Sequence, residues 1–380
     1  PASQRDDFWW MGFGERKNVN NWNPWINSNW LAAVLLLEAD PPRRTAAVYK
    51  IMRSLDNFIN IYPDDGASDE GPGYWGRAGA SLFDNLELLR SATNGTVDIY
   101  RAPLVRNMGQ YIYRVYIKDQ YFVPMGDAAA KITPDAELVY QYGQRIGDPL
   151  MQGFGALLAQ RRGPYQPGSS SPGRVLPALF VAREIATAQD SEPLLGSVWL
   201  ADLQLMAARS TPTSGVGLYV AAWGGHNAQS HNHNDVGNFI VYGNGKPVLI
   251  DLGVETYSAK TFSSQRYEIW TMQSAYHNLP TINGVMQAAG REFQAKAVSF
   301  NETANRVTFS ADIASAYPAA AAVERWQRRV TLDRTAPAVE LEDGYELKQW
   351  KEPMRLNLMT PLSVDTSQPG AVNLGGRYVL

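Results

Sequence analysis

The sequence predicts an α + β chain in two parts: a helical first half whose paired helices stack into a ring, then an antiparallel β-sandwich. Three observations carry this. From Asn27 to about Ala188 the apolar residues recur at helical spacing. After Pro193 the segments run at strand length with turn residues between them. All four histidines of the chain, His226, His231, His233 and His277, fall in one stretch, Trp223–Met286. A chain of 380 residues makes two domains the prior. They are read as 1–193 and 194–380, with the boundary between residues 190 and 198.

The helical elements follow in order. WLAAVLLLEAD (Trp30–Asp40) reads as a buried helix, and PPRRTAAVYKIMRSLDNFINIY opens with proline and repeats apolar residues at i, i+3, i+4 and i+7. GASLFDNLELLRSATNG ends on Asn-Gly, a helix stop. VDIYRAPLVRNMGQYIYRVY, PDAELVYQYGQRIG, PLMQGFGALLAQRRG and RVLPALFVAREIATA continue the pattern without a fixed repeat period. GPYQPGSSSPG (Gly163–Gly173) is a Pro/Gly/Ser loop within them. The strands begin with SVWLADLQLMAARS and VGLYVAAWGG and run through FIVYG, KPVLIDLG, AKAVSFNETANRVTFSADI, RWQRRVTLDR and AVELEDGYEL.

Composition narrows the function. Charged residues make up 19% and the formal net charge is −3, so no global field draws in a polyanion or nucleic acid; an acidic substrate must be met by local Arg and Lys. Aromatic content is 11%, with 11 Trp and 19 Tyr, which suits stacking on sugar faces as well as a large core. Without cysteine there is no disulfide or thiol chemistry. No apolar run approaches the roughly 18 residues of a membrane span. The opening PASQRDDFWW has no signal-peptide character and reads as the inside of a longer protein, so leading helices and a C-terminal extension are expected beyond this sequence.

The chemistry concentrates in the histidine stretch. Imidazole coordinates metals and moves protons near neutral pH. In SHNHND, His231 and His233 stand two apart, a spacing that puts both on one side if the segment leads as a strand into VGNFIVY. A hairpin turn at Gly243–Gly245 would return the chain and bring Asp251 beside them, and His277 follows in SAYHNLP. His233, Asp251 and His277 form a candidate His2Asp set, and nitrogen and oxygen donors in that mix suit zinc. Two loops of the helical half stand out as well: Val19–Trp30 (VNNWNPWINSNW), rich in Asn and Trp, and Asp69–Gly79 (DEGPGYWGRAG), which presents Tyr74 and Trp75 ahead of a helix.

SHNHND, the hairpin into LIDLG, and WTMQSAYHNLPTINGVMQ together resemble the C-terminal β-domain of the heparinase II/III-like polysaccharide lyases. The resemblance is specific over residues 220–290 and is supported by DEGPGYWGRAG. It implies an incomplete (α/α) toroid followed by an antiparallel β-sandwich. It also implies β-elimination on glycosaminoglycan-type uronate polymers, with heparan sulfate, hyaluronan or chondroitin types ahead of alginate, and a periplasmic or secreted location. By resemblance Tyr74 is the acid, or acid and base on one face of the sugar, and His231 is the base for the opposite C5 epimer. Asn21 is the nearest match for the carboxylate neutraliser, with Asn20 and Asn23 in the same loop; Gln229 is a possible helper and Tyr267 a further candidate. Arg77 and Arg266 would lower a tyrosine pKa or grip substrate acid groups, and Trp75 completes the substrate-binding set. The ion is structural in such proteins, tying together the strands that carry the histidine loop, with His231 outside its shell. A zinc-dependent hydrolase with an open metal position and a non-catalytic carbohydrate-binding scaffold are the rival readings.

Overall fold

The computed structural model describes residues 2–14, 19–163 and 171–380. The middle of the Gly163–Gly173 loop lies outside the described residues. The chain combines helices with antiparallel sheets and divides into two compact units: Pro1–Arg114 with Ile132–Pro193, and Val115–Lys131 with Leu194–Leu380.

The first unit is helical. α1 (Trp22–Leu37) and α2 (Pro41–Ile59) are separated only by Glu38–Asp40, and the Asp40 carboxylate caps α2 by accepting from Arg43 N–H at 3.3 Å. A short α3 (Pro72–Trp75) precedes α4 (Gly79–Ala92) and α5 (Pro103–Arg114). α6 (Ala136–Ile146) turns directly into α7 (Pro149–Arg162), which Asp148 caps through Met151 N–H at 3.0 Å. These two helices approach closely at glycines: a Cβ on Gly155 would meet Tyr140 N at 2.5 Å, and one on Gly143 would meet Gln152 N at 2.6 Å. α8 (Pro172–Thr187) completes the set. Leu31, Ile51, Met108, Tyr111, Ile112, Tyr142 and Phe154 are wholly buried at its centre.

Three expectations change here. The Val19–Trp30 loop is mostly helix, because α1 starts at Trp22 and tolerates Pro24 in a first turn whose N–H groups have no intrahelical partner anyway. The apolar run Trp30–Asp40 is not buried throughout; Leu36 and Leu37 are 82% and 80% exposed. The helix expected to run on to Tyr116 stops at Arg114, where the chain turns into a strand.

That strand, β1 (Tyr116–Lys118), pairs with β2 (Tyr121–Phe122), and both group with the second unit rather than with the residues 1–193 to which the sequence reading assigned them. Arg209, itself buried, holds them there by donating to the carbonyls of Tyr116 and Ile117 at 3.0 and 2.5 Å. The main sheet has β3 (Ser197–Leu200), β4 (Leu205–Arg209), β5 (Leu218–Trp223), β7 (Phe239–Gly243) and β8 (Lys246–Leu249) in antiparallel order, while β6 (His226–Asn227) leaves it to pair elsewhere. The expected hairpin forms: Asn244 and Gly245, with φ of +52° and +75°, link β7 to β8 as a two-residue turn. After β9 (Pro280–Thr281) and β10 (Gly290–Gln294), the partner of β6, comes a second sheet: β11 (Lys296–Glu302), β12 (Arg306–Asp312), β13 (Val323–Asp333) and β14 (Ala338–Leu347).

The two sheets share one core, to which Val220, Ala222 and Phe239 contribute from the first and Val307, Phe309, Val330 and Leu332 from the second. Alternate residues of β12 face inward, the period-2 signature of a half-buried strand. Arg328 on β13 is fully buried, paired with Asp343 at 2.6 Å, and donates to Gly237 O at 3.1 Å and Asn278 O at 2.7 Å. It thereby fastens the segments that follow His233 and His277 to the second sheet. Among the described residues no helix is long and apolar enough to cross a membrane.

Candidate functional site

The histidine stretch leaves β5, makes the short β6 and then turns repeatedly before β7. His226 stays apart from the other three: its Nε2 accepts from Arg291 Nη1 at 2.8 Å. Burial, followed by the neighbouring Arg291 charge, holds its pKa below the ordinary histidine value. His231 does not sit on a strand, as the two-residue spacing suggested. It occupies a turn with φ of +54°, a left-handed conformation uncommon outside glycine. The close fit of Gly126 shapes this turn, since a Cβ there would lie 2.5 Å from His231 O.

His231 and His233 nonetheless converge, on a residue the sequence reading missed. Asp127 has a fully buried side chain. Its Oδ2 accepts from His231 Nδ1 at 2.7 Å and from the Tyr257 hydroxyl at 3.0 Å. Its Oδ1 accepts from His233 Nε2 at 3.1 Å and from Arg266 Nη2 at 2.6 Å. Burial alone would raise the Asp127 pKa; the bonds from His231, His233 and Arg266, with the Arg266 charge, outweigh it and hold the carboxyl well below its usual range. The Tyr257 ring stacks near the His231 ring at 6.3 Å, and Phe262 meets that imidazole edge-on at 5.8 Å. A carboxylate only accepts, so His231 carries its proton on Nδ1 and its lone pair on Nε2, while His233 has the reverse arrangement.

The predicted metal set assembles. One ligand atom each of His233, Asp251 and His277 lies within 4.8 Å of the others, and all three residues are buried. His233 Nδ1 and His277 Nε2 have no hydrogen-bond partner among the described residues. A buried imidazole nitrogen with nothing to bond is costly unless an ion takes the lone pair, so two nitrogens and a carboxylate in this arrangement fit a divalent cation. Asp251 is oriented by Asn238 Nδ2 at 2.9 Å, Gly253 N–H at 2.7 Å and His277 Nδ1 at 2.9 Å. Burial would raise Asp251, but His277 and His233 outweigh it and lower its pKa; conversely, Asp251 raises His277 against the effect of burial.

The remaining candidates divide. Gln229 is half-buried, and its backbone N–H donates to Asn232 Oδ1 at 3.3 Å. Tyr267 accepts from Asn232 Nδ2 at 3.1 Å, and burial raises its pKa. Arg266 cannot grip substrate as expected, because it is buried and its three nitrogens are committed to Asp127, Asn232 O and Thr261 O. In the first unit, Asn23 is wholly buried, donating to Trp10 O and Ser54, and Trp75 is 2% exposed with Nε1 on Met108 O at 2.7 Å. Both side chains are thus engaged inside the helical unit. Asn21 is buried and donates to Glu70 Oε2 at 2.6 Å, which joins the start of α1 to the stretch carrying Tyr74. Tyr74 is half-buried on α3, and exposed Arg77 lies over the Trp25 ring at 4.7 Å.

Residues 206–358, which hold the whole histidine site except Asp127, match the family model described as heparinase II/III-like, C-terminal. The fold of this chain is similar to that of solved heparinase III structures. One aligns with a TM-score of 0.68 at 16% identity, covering 96% of this chain and 53% of that one. A second heparinase III gives 0.67 at 14% identity, covering 90% and 48%. A heparan sulfate lyase HepC from Pedobacter heparinus gives 0.56 at 16%, covering 81% and 43%. The chain therefore spans about half the length of these structures. No curated protein matches it by sequence.

Proposed function

We propose that this chain is part of a polysaccharide lyase that cleaves uronic-acid polymers of the glycosaminoglycan type by β-elimination. Its helical unit is read as an incomplete (α/α) toroid and its paired sheets as a β-sandwich, in a periplasmic or secreted protein. The observation that carries the reading is the Asp127–His231 pair: a carboxylate holds the imidazole through Nδ1 and makes Nε2 the basic nitrogen, beside a separate donor set.

The C5 proton of a uronate is weakly acidic because the adjacent carboxylate is already negative. His231 takes that proton, or Tyr74 does so for the opposite epimer, and Tyr74 protonates the departing O4. Asn21 donates to the substrate carboxylate as charge builds there. His233 Nδ1, Asp251 and His277 would hold a divalent ion, zinc on the chemistry of the donors, whose contribution when bound is to brace the histidine loop. Heparan sulfate is the first substrate to try, since the HepC structure similar in fold is a heparan sulfate lyase.

Incubation with heparan sulfate, hyaluronan, chondroitin and alginate, followed by ultraviolet absorbance, tests this reading. A lyase produces the absorbance of the new conjugated double bond. Reducing ends without it would mean a hydrolase, and binding without either would mean a scaffold.

A further inference from the structure

Every lone pair of the Asp127 carboxylate is engaged. Each oxygen takes one imidazole and one further donor: His231 and Tyr257 on Oδ2, His233 and Arg266 on Oδ1. A carboxylate offers about four acceptor sites and no donor, so the two imidazoles must both present N–H to it. They do so through different nitrogens, Nδ1 of His231 and Nε2 of His233. The lone pairs left over are therefore on Nε2 of His231 and on Nδ1 of His233, the second of which is one of the two buried imidazole nitrogens without a hydrogen-bond partner among the described residues.

We propose that Asp127 is the positioning residue of this site, setting opposite tautomers on His231 and His233 so that one is prepared as a base and the other as a metal ligand. The inference rests on the lyase reading only for the word base; the tautomers and the ligand do not depend on it. Outer carboxylates that fix the tautomer of a ligating histidine are a general device of metal sites. Here the same carboxylate also serves the imidazole two residues away, so a single side chain ties the condition of the donor set to that of His231.

Asp127→Asn separates the two halves of the claim. The amide keeps the shape but replaces one acceptor with an NH2 donor. Arg266 can only donate, so the amide oxygen must stay on the Oδ1 side, with Arg266 and His233. The NH2 then faces His231 and Tyr257. The Tyr257 hydroxyl can rotate to accept, but His231 must give up its Nδ1 proton and carry it on Nε2.

The test is nitrogen NMR of the full chain labelled with 15N-histidine, in which the four histidines give a tractable spectrum, recorded with and without zinc ion. In the unaltered protein His231 should be the Nδ1–H tautomer and His233 the Nε2–H tautomer. In Asp127→Asn, His231 should switch to Nε2–H while His233 and the zinc content hold, and kcat should fall about 10²–10⁴-fold with KM little changed. Asp127→Ala, which supports neither ring, should lower zinc affinity about 10–100-fold as well. Identical tautomers on His231 and His233 in the unaltered protein, or an unchanged His231 tautomer in Asp127→Asn, would overturn the proposal. Correct tautomers in a protein that forms no unsaturated product would count against the lyase reading alone.

Discussion

His233→Ala protein should purify with less than about a tenth of the wild-type divalent metal and melt roughly 10 °C lower. The substitution removes the Nδ1 donor from a three-residue set and leaves Asp251 and His277 to hold an ion alone. It also deletes the Nε2 bond to Asp127 at 3.1 Å, from a side chain only 1% exposed. Stripping one partner from a buried charged cluster costs about 3–5 kcal/mol, and in a domain of this size each kcal/mol lowers the melting temperature by about 2–4 °C. Elemental analysis and a thermal melt on the same sample check both figures. Wild-type metal content in this variant would remove His233 from the ligand set.

Tyr74→Phe should show the opposite pattern: turnover down by about 10²–10⁴-fold or below detection, with metal content unchanged and stability within about 1 kcal/mol. The backbone holds the ring in place. Gly71, with φ of +79°, turns the chain into α3, Pro72 starts it, and Tyr74 O accepts from Arg77 N–H at 2.9 Å and Ala78 N–H at 3.0 Å. Exchanging the phenol for a phenyl leaves these bonds intact and removes only the hydroxyl. Initial rates on a polyuronate and the metal assay together test the assignment. Full activity would take Tyr74 out of the mechanism.

Some of this site could be read from residues alone. Four histidines in one segment, with an Asn-Gly turn between them, mark out His233, Asp251 and His277, because hairpin geometry is local and returns the chain at a known point. Asp127 could not be found that way. It meets His231 across 104 positions and sits in VPMGDAAAK, where its only signal is a lone acid among small and apolar neighbours. Tyr257 is one of 19 tyrosines and carries no local mark at all. The left-handed turn at His231 was also hidden, because a spacing of two suggests a strand unless something like Gly126 is known to press against it. In the helical half the same periodicity that located α5 ran on past Arg114, since YRVY suits a helix and a strand equally and tertiary contacts with Arg209 decide it. Asn23 and Trp75 looked like surface chemistry because loops rich in Asn and Trp do; their burial comes from partners at Ser54 and Met108 that spacing does not reveal.

Two imidazoles two residues apart divide the proposed work, His231 for proton transfer and His233 for holding an ion. His231→Ala, assayed for metal content and for unsaturated product in a single preparation, tests that separation. It should retain wild-type metal, because His233 keeps its bond to Asp127, while product formation falls at least about 100-fold on the substrate whose C5 proton His231 removes. Loss of metal together with activity, or product formed at the wild-type rate, would contradict it.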